Sequence, residues 1–156
     1  MKLIADSGST KTTWALLENG ELKTTVSTPG LNPYFLTSEV IEATLRSDLA
    51  PNLPCDFIRE IHFYGAGCST ENNNNMLKEA IKLFFRKADV FIYHDILGAA
   101  RALFGKGEGI ACILGTGATP VILMAKKLNQ GFLHWVISLG MKGLVPILGK
   151  FSWKSI

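Results

Sequence analysis

Apolar and polar positions in the first part of the chain fall into short runs. Met1 to Ala5 and Thr12 to Leu17 are apolar with β-branched or aromatic members, and Leu22 to Ser27 alternates apolar with polar residues. Glycine-containing turns separate these runs, which predicts three consecutive antiparallel strands. Asn19-Gly20, between the second and third, is a hairpin signal because both residues tolerate positive φ. Pro29-Gly30-Leu31-Asn32-Pro33 then forces a loop. From Thr37 the period changes: Val40, Ile41, Thr44, Leu45 and Leu49 follow helical spacing until Pro51 and Pro54 stop it. Ile58 to Tyr64 predicts a fourth strand with Gly65-Ala66-Gly67 at its carboxyl end. Leu77, Ala80, Ile81, Phe84, Phe85 and Ala88 predict a second amphipathic helix, capped at Ser69 or Thr70. Asp89 to Tyr93 is a fifth strand, ended by His94-Asp95, and an alanine-rich helix runs to about Phe104, closed by Gly105. Gly109 to Leu114 begins another strand that ends at Gly115-Thr116-Gly117.

Composition narrows this picture without redirecting it. With 47% hydrophobic and 19% charged residues over 156 positions, the chain has the make-up of a globular protein with one domain core. The net charge is +3 and the 16 basic residues are scattered, so neither nucleic acid nor an anionic membrane is indicated as a partner. Asp6 interrupts the apolar start, and no stretch approaches the ~18 apolar residues of a membrane helix, so a cytoplasmic location is expected. Cys55, Cys68 and Cys112 are widely spaced, with no C-x-x-C pair and no nearby histidines to complete a zinc site. Reduced, partly buried thiols are the expectation.

Candidate chemistry lies in the loops at strand ends. Asp6-Ser7-Gly8-Ser9-Thr10-Lys11-Thr12 has small residues that let backbone N–H groups approach phosphate oxygens, and hydroxyls that add donors. It is not a P-loop, because Thr13 to Leu17 continues as strand rather than helix. Asp6, at the exit of the first strand, is placed to hold Mg²⁺ through water. Alone, the segment reads equally as a polar hairpin turn. Gly115-Thr116-Gly117 repeats the design after a later strand, and two such turns are what a cleft clamping phosphates from both sides requires. Asp95, after Val90-Phe91-Ile92-Tyr93 and before a helix, reads either as a helix N-cap or as the base that accepts a proton in phosphoryl transfer. His94 beside it is ambiguous, and His62, within a strand, reads as a structural histidine. Gly65, Ala66 and Gly67 line a cleft or form a plain strand-to-helix turn. Asn32 suits a sugar hydroxyl or simply turns the chain.

The order of DSGSTKT, GLNPY, a Gly-Ala-Gly strand end, HDILGAARALFG and GIACILGTG resembles the BadF/BadG/BcrA/BcrD-type ATPase family and its N-acetylglucosamine kinase members, over Met1 to Gly117. The element order β-β-β-α-β-α-β-α agrees, being that of the ribonuclease-H-like half-domain of the actin/hexokinase superfamily. A doubly wound nucleotide fold would alternate from its first strand. The fold class expected is therefore α/β, a ribonuclease-H-like (actin-like ATPase) half-domain followed by an atypical tail. The family's first turn usually reads DGGGTKT, so Ser7 and Ser9 are departures, small enough to remain compatible with phosphate contact. The resemblance implies ATP and Mg²⁺ as cofactors, with phosphate contacts from Gly8, Ser9, Thr10, Lys11 and Thr12 and from Gly115, Thr116 and Gly117. It implies an amino sugar as substrate, touched by Asn32 and flanked by Gly65, Ala66 and Gly67, with Asp95 as base. A full-length homologue as homodimer is a further expectation. A related branch, the activator ATPases of 2-hydroxyacyl-CoA dehydratases, needs cysteine ligands for an iron–sulfur cluster, and the three cysteines offer no convincing pair. A non-catalytic repressor or filament protein on this fold is the third alternative. The repressor form is disfavoured because the chain has neither an N-terminal helix-turn-helix nor a zinc-binding cysteine cluster.

The resemblance stops at Gly117. The expected organisation is an N-terminal lobe over residues 1–105, the start of a second lobe at 106–117, and an out-of-frame tail over 118–156. Family members continue as GTGSNS, then PPLG, then GDEGSGAxLG, whereas this chain reads Ala118-Thr119-Pro120. Back-translation one nucleotide out of phase restores the missing motifs. Met124-Ala125 forces a glycine codon, Trp135-Val136 forces another, and Met141-Lys142 forces glutamate. With permitted codons elsewhere, residues 118–121 become SNSC, 132–135 give PPLG and 139–150 give GDEGSGAYLGK. Nucleotide sequencing of the locus is expected to show this second frame displaced by a single base near codon 117 and running on past codon 156. A downstream frame with no Gly/Ser-rich continuation would contradict it.

Overall fold

The computed structural model describes residues 1–104, 109–113, 121–128 and 131–138. They fall into two units, Met1–Gly98 and Ala99–Ile156. In the first unit, β1 (Lys2–Ser7), β2 (Lys11–Glu18) and β3 (Glu21–Pro29) form an antiparallel meander. β4 (Glu60–Gly65) and β5 (Asp89–His94) add in parallel on the other side of β1, giving the order β3-β2-β1-β4-β5. The Asn19-Gly20 turn has φ of 54° and 88°, the positive values that a tight two-residue hairpin turn requires. Helices α1 (Ser38–Thr44), α2 (Glu71–Phe84) and α3 (Asp95–Phe104) follow β3, β4 and β5. This is the mixed sheet and strand order expected of the ribonuclease-H-like half-domain.

Period-2 alternation gives the sheet one apolar core face. Leu3, Ala5, Trp14, Leu16, Ile61, Phe63 and Val90 are buried there, joined by Ile41, Leu45, Leu49, Leu77, Ile81 and Phe85 from the helical segments. Trp14 and Phe63 meet at 5.6 Å between ring centroids, and the Trp14 indole N–H donates to Thr28 Oγ1. The first helical segment shows how sequence spacing is absorbed. Ile41, Leu45 and Leu49 recur every four residues, which overshoots an α-turn by about 40° per step. The backbone changes to a wider π-turn over Leu45–Leu49, keeping all three side chains buried, and Pro51 then tightens the chain into a 3-10 turn over Ala50–Asn52. Val40, expected on the same stripe, is instead exposed. Of the two candidate caps for α2, Thr70 is used, its hydroxyl accepting from the Asn73 backbone N–H.

On the opposite sheet face His62, Tyr64, Phe91 and Tyr93 form a ladder of stacked rings, with His62 lying 5.2 Å from Phe91 and Tyr64 the same distance from Tyr93. Gly98 brings α3 against this ladder, where a Cβ would stand 2.9 Å from the Tyr64 ring. In the second unit, β6 (Gly109–Ile113), β7 (Val121–Leu128) and β8 (Gly131–Ser138) form an antiparallel sheet in that order. Residues 121–138, expected only as an out-of-frame tail, thus contain two paired strands. Apolar runs pair as strands in whatever frame they arise, so the pairing leaves the reading frame open. Among the described residues, no helix is long and apolar enough to cross a membrane.

Candidate functional site

Because β1, β4 and β5 are parallel and β3 runs alongside them, their carboxyl ends share one sheet edge. Most of the residues singled out from the sequence gather there. The turn from β1 to β2 is closed by the Gly8 N–H donating to the Lys11 carbonyl at 2.9 Å. Gly8, Ser9, Thr10 and Lys11 are exposed, while Thr12 is fully buried. The Thr12 hydroxyl lies 2.7 Å from Ser7 Oγ, and Ser7 Oγ also accepts from the Leu31 backbone N–H. Of the predicted phosphate-contacting residues, Thr12 thus differs from its neighbours, since its hydroxyl is already engaged inside the fold. Asp6 stands between buried Ala5 and Ser7, so alternation places it on the other face, exposed and without an ion pair among the described residues.

Asn32 joins three of the loops. It is 6% exposed, its Nδ2 donates to Ser9 Oγ at 3.3 Å, and its Oδ1 accepts from the Tyr34 backbone N–H at 3.0 Å. Behind it, Gly30 presses on the first turn so closely that a Cβ would lie 2.4 Å from the Ser9 carbonyl carbon. Gly67 abuts Asn32 from the β4–α2 loop with φ +83°, and a Cβ there would fall 2.2 Å from Asn32 Oδ1. The same loop is tied back by the Ala66 N–H donating to the Ser7 carbonyl and by the Asn73 amide donating to the Gly67 carbonyl. Gly65 is likewise close-packed, against Phe63 and Cys68. Tyr34, which sequence reasoning did not single out, completes the rim: its hydroxyl lies 3.0 Å from Ser69 Oγ. The motif GLNPY carried that residue, but an aromatic residue after a proline gives no signal by itself.

Asp95 opens α3. Burial pushes its carboxyl up, but the His94 hydrogen bond and charge and the Ile96 N–H outweigh this, leaving it below the ordinary aspartate range. His94 is shifted the opposite way, upward, by its hydrogen bond to Asp95 working against partial burial. Cys68, in the same loop as Gly67, is buried, and its thiol is pushed up to about 12 by burial and then by the charge of Asp95. Asp95 is therefore an anion at neutral pH, electrostatically coupled to the loop that holds Asn32, while Cys68 stays protonated. Cys55 and Cys68 stand before and after the six-residue strand β4, at its opposite ends, and do not form a neighbouring pair. Among the described residues, no group of three His, Cys, Asp or Glu side chains converges on a metal position. Gly115, Thr116 and Gly117, the second predicted phosphate turn, lie outside the described residues.

The Gly67–Asn32 contact is tested by Gly67→Ala. The new methyl group and the left-handed backbone together are expected to cost about 1–3 kcal/mol and to displace the Asn32 amide. Hydrogen exchange of the Tyr34 amide should accelerate as its bond to Oδ1 is lost; an unchanged rate would show that the contact is not formed.

No protein-family model and no curated protein matches the chain. Among solved structures, it is similar to a candidate N-acetylglucosamine kinase from Porphyromonas gingivalis, at 37% identity and a TM-score of 0.78, with 96% of this chain and 54% of that one aligned. The chain thus spans about half the length of that relative. YeaZ from Pseudomonas aeruginosa (13% identity, TM-score 0.48, 88% of this chain and 67% of that one) and the PPX-GPPA enzyme of Aquifex aeolicus (12%, 0.39, 94% and 55%) are too distant to add weight. Strand order and the Porphyromonas likeness together give the chain the ribonuclease-H-like fold of the actin-like ATPases, and over its described part it is similar to a candidate N-acetylglucosamine kinase.

Proposed function

We propose that the chain carries the amino-terminal lobe of an ATP-dependent amino-sugar kinase. The supporting observation is the grouping, at one sheet edge, of an exposed Gly/Ser/Thr turn, a fixed carboxamide and an aspartate held as an anion. The turn fits a polyphosphate. The Gly8 N–H is occupied by Lys11, so Gly8 contributes bare surface, with nothing nearer than 3.7 Å to a Cβ position. Ser9, Thr10 and Lys11 supply the exposed polar groups beside it. Asp6, exposed and unpaired among the described residues, fits a Mg²⁺ ion that keeps most of its water. Such an ion would neutralise charge on the nucleotide's phosphates.

Asn32 retains a second N–H and a free lone pair for a sugar hydroxyl or acetamido group. Its existing bonds hold the amide in one orientation, which gives that contact directionality. Asp95 accepts the acceptor hydroxyl's proton as the hydroxyl oxygen bonds to the γ-phosphorus and the bond to ADP breaks. The dehydratase-activator alternative is disfavoured by the positions of Cys55 and Cys68 at opposite ends of β4. The chain by itself is expected to show no kinase turnover, because the SNS, PPLG and GDEGSG segments of the family are absent from its sequence.

Calorimetry with MgATP tests the nucleotide assignment. Gly8→Val is expected to weaken binding on the order of tenfold, about 1.4 kcal/mol, while leaving the fold intact; unchanged affinity would remove the first turn from the site. In the frame-restored protein, Asp95→Asn is expected to keep ligand binding and lose on the order of 10²-fold or more in kcat. Undiminished turnover would reduce Asp95 to a helix cap.

A further inference from the structure

The hydrogen bonds around Asp95 make its two carboxylate oxygens unequal. Oδ1 lies 2.6 Å from His94 Nδ1 and 2.8 Å from the Ile96 backbone nitrogen. An ionised carboxylate can only accept, so each of these neighbours must bring a proton. The Ile96 nitrogen also comes within 3.4 Å of His94 Nδ1. A ring nitrogen that is donating its proton to Oδ1 cannot accept another, so the Ile96 N–H belongs to Oδ1 at the shorter distance. Nδ1 of His94 therefore carries hydrogen whether the ring is neutral or charged. Asp95's own backbone N–H is a third donor to the carboxylate, and among the described residues no other residue donates to Oδ2.

We propose that His94 is a positioning residue: held as the Nδ1–H tautomer, it fills Oδ1 together with the Ile96 N–H and so leaves Oδ2 as the single oxygen presented to the acceptor hydroxyl. The inference rests on Asp95 being the base. With both donors on one oxygen, the carboxylate cannot rotate about its Cβ–Cγ bond without losing them, and the proton-accepting lone pairs keep one direction. Cys68, the other titratable side chain that interacts with Asp95, stays a neutral thiol across the working range and adds no competing charge. A histidine serving only to pack β5 against α3 would not need this tautomer, and in water a neutral imidazole carries its proton preferentially on Nε2.

Long-range ¹H–¹⁵N correlation spectra of the ¹⁵N-labelled 156-residue chain, at a pH where His94 is neutral, read the tautomer directly. The expected pattern is a protonated Nδ1 and a bare Nε2, reverting to the Nε2–H form in Asp95→Ala. Carbon-detected titration of the Asp95 carboxyl supplies the second measurement: His94→Ala is expected to raise its midpoint by about one unit. His94→Asn, whose amide nitrogen can stand where Nδ1 stood, should restore it. An Nε2–H ring in the unaltered chain, or an Asp95 midpoint that ignores His94→Ala, would overturn the proposal. Neither readout needs substrate, so these failures are distinct from a kinetic failure of Asp95 as the base.

Discussion

A buried carboxamide is the constraint on which the candidate site depends. Asn32 is nearly sealed from solvent, and its polar atoms must find partners or cost about 1–3 kcal/mol each. They find them in Ser9 of the first turn and in the Tyr34 backbone, with the Gly67 loop pressed against Oδ1. Three segments distant in sequence are thereby fixed to one another by a single side chain. The two glycines beside it are required sterically: Gly30 admits the first turn and Gly67 admits the amide itself. Ser7 works beneath this layer, joining Thr12 and the Leu31 N–H inside the core, so the sheet edge and the loop are hydrogen-bonded to each other.

Electrostatics complete the arrangement. Asp95 is drawn out of water at the head of α3, which would ordinarily raise its affinity for a proton. The imidazole and the Ile96 amide reverse that tendency and keep the carboxylate charged. The consequence falls on Cys68, whose thiol is held neutral by its burial and by the neighbouring anion. At neutral pH the carboxylate is therefore ionised and able to accept a proton, the state that the proposed role as base calls for.

Much of this was legible in the sequence, for local reasons. The apolar runs Met1 to Ala5 and Thr12 to Leu17, the alternation in Leu22 to Ser27, the Asn19-Gly20 pair and the apolar stripe of α2 each specify their element within a few residues. The Gly/Ser/Thr turn after β1, Asn32, the Gly65-Ala66-Gly67 strand end and Asp95 were likewise visible as loops between such elements. What escaped depends on distant partners. That Ser7 is a core bridge, and not merely a tolerated departure in the first turn, follows from Leu31 lying 24 residues away. Tyr34 gains meaning only through Ser69, and His94 only through which atom of Asp95 it reaches. Val40 shares the helical spacing but is exposed, while Ile41, Leu45 and Leu49 are buried through the change from α- to π-turn at Leu45.

Under the proposed function, one sheet edge binds both substrates, with nucleotide on the first turn and sugar on the Asn32 loop. Backbone amide spectra of the labelled chain, titrated separately with MgATP and with N-acetylglucosamine, test it most directly. Shifts are expected at residues 8–12 for the nucleotide and at residues 30–34, 65–69 and 94–96 for the sugar. Shifts confined to the Phe91 and Tyr93 face, or absent for both ligands, would contradict the account.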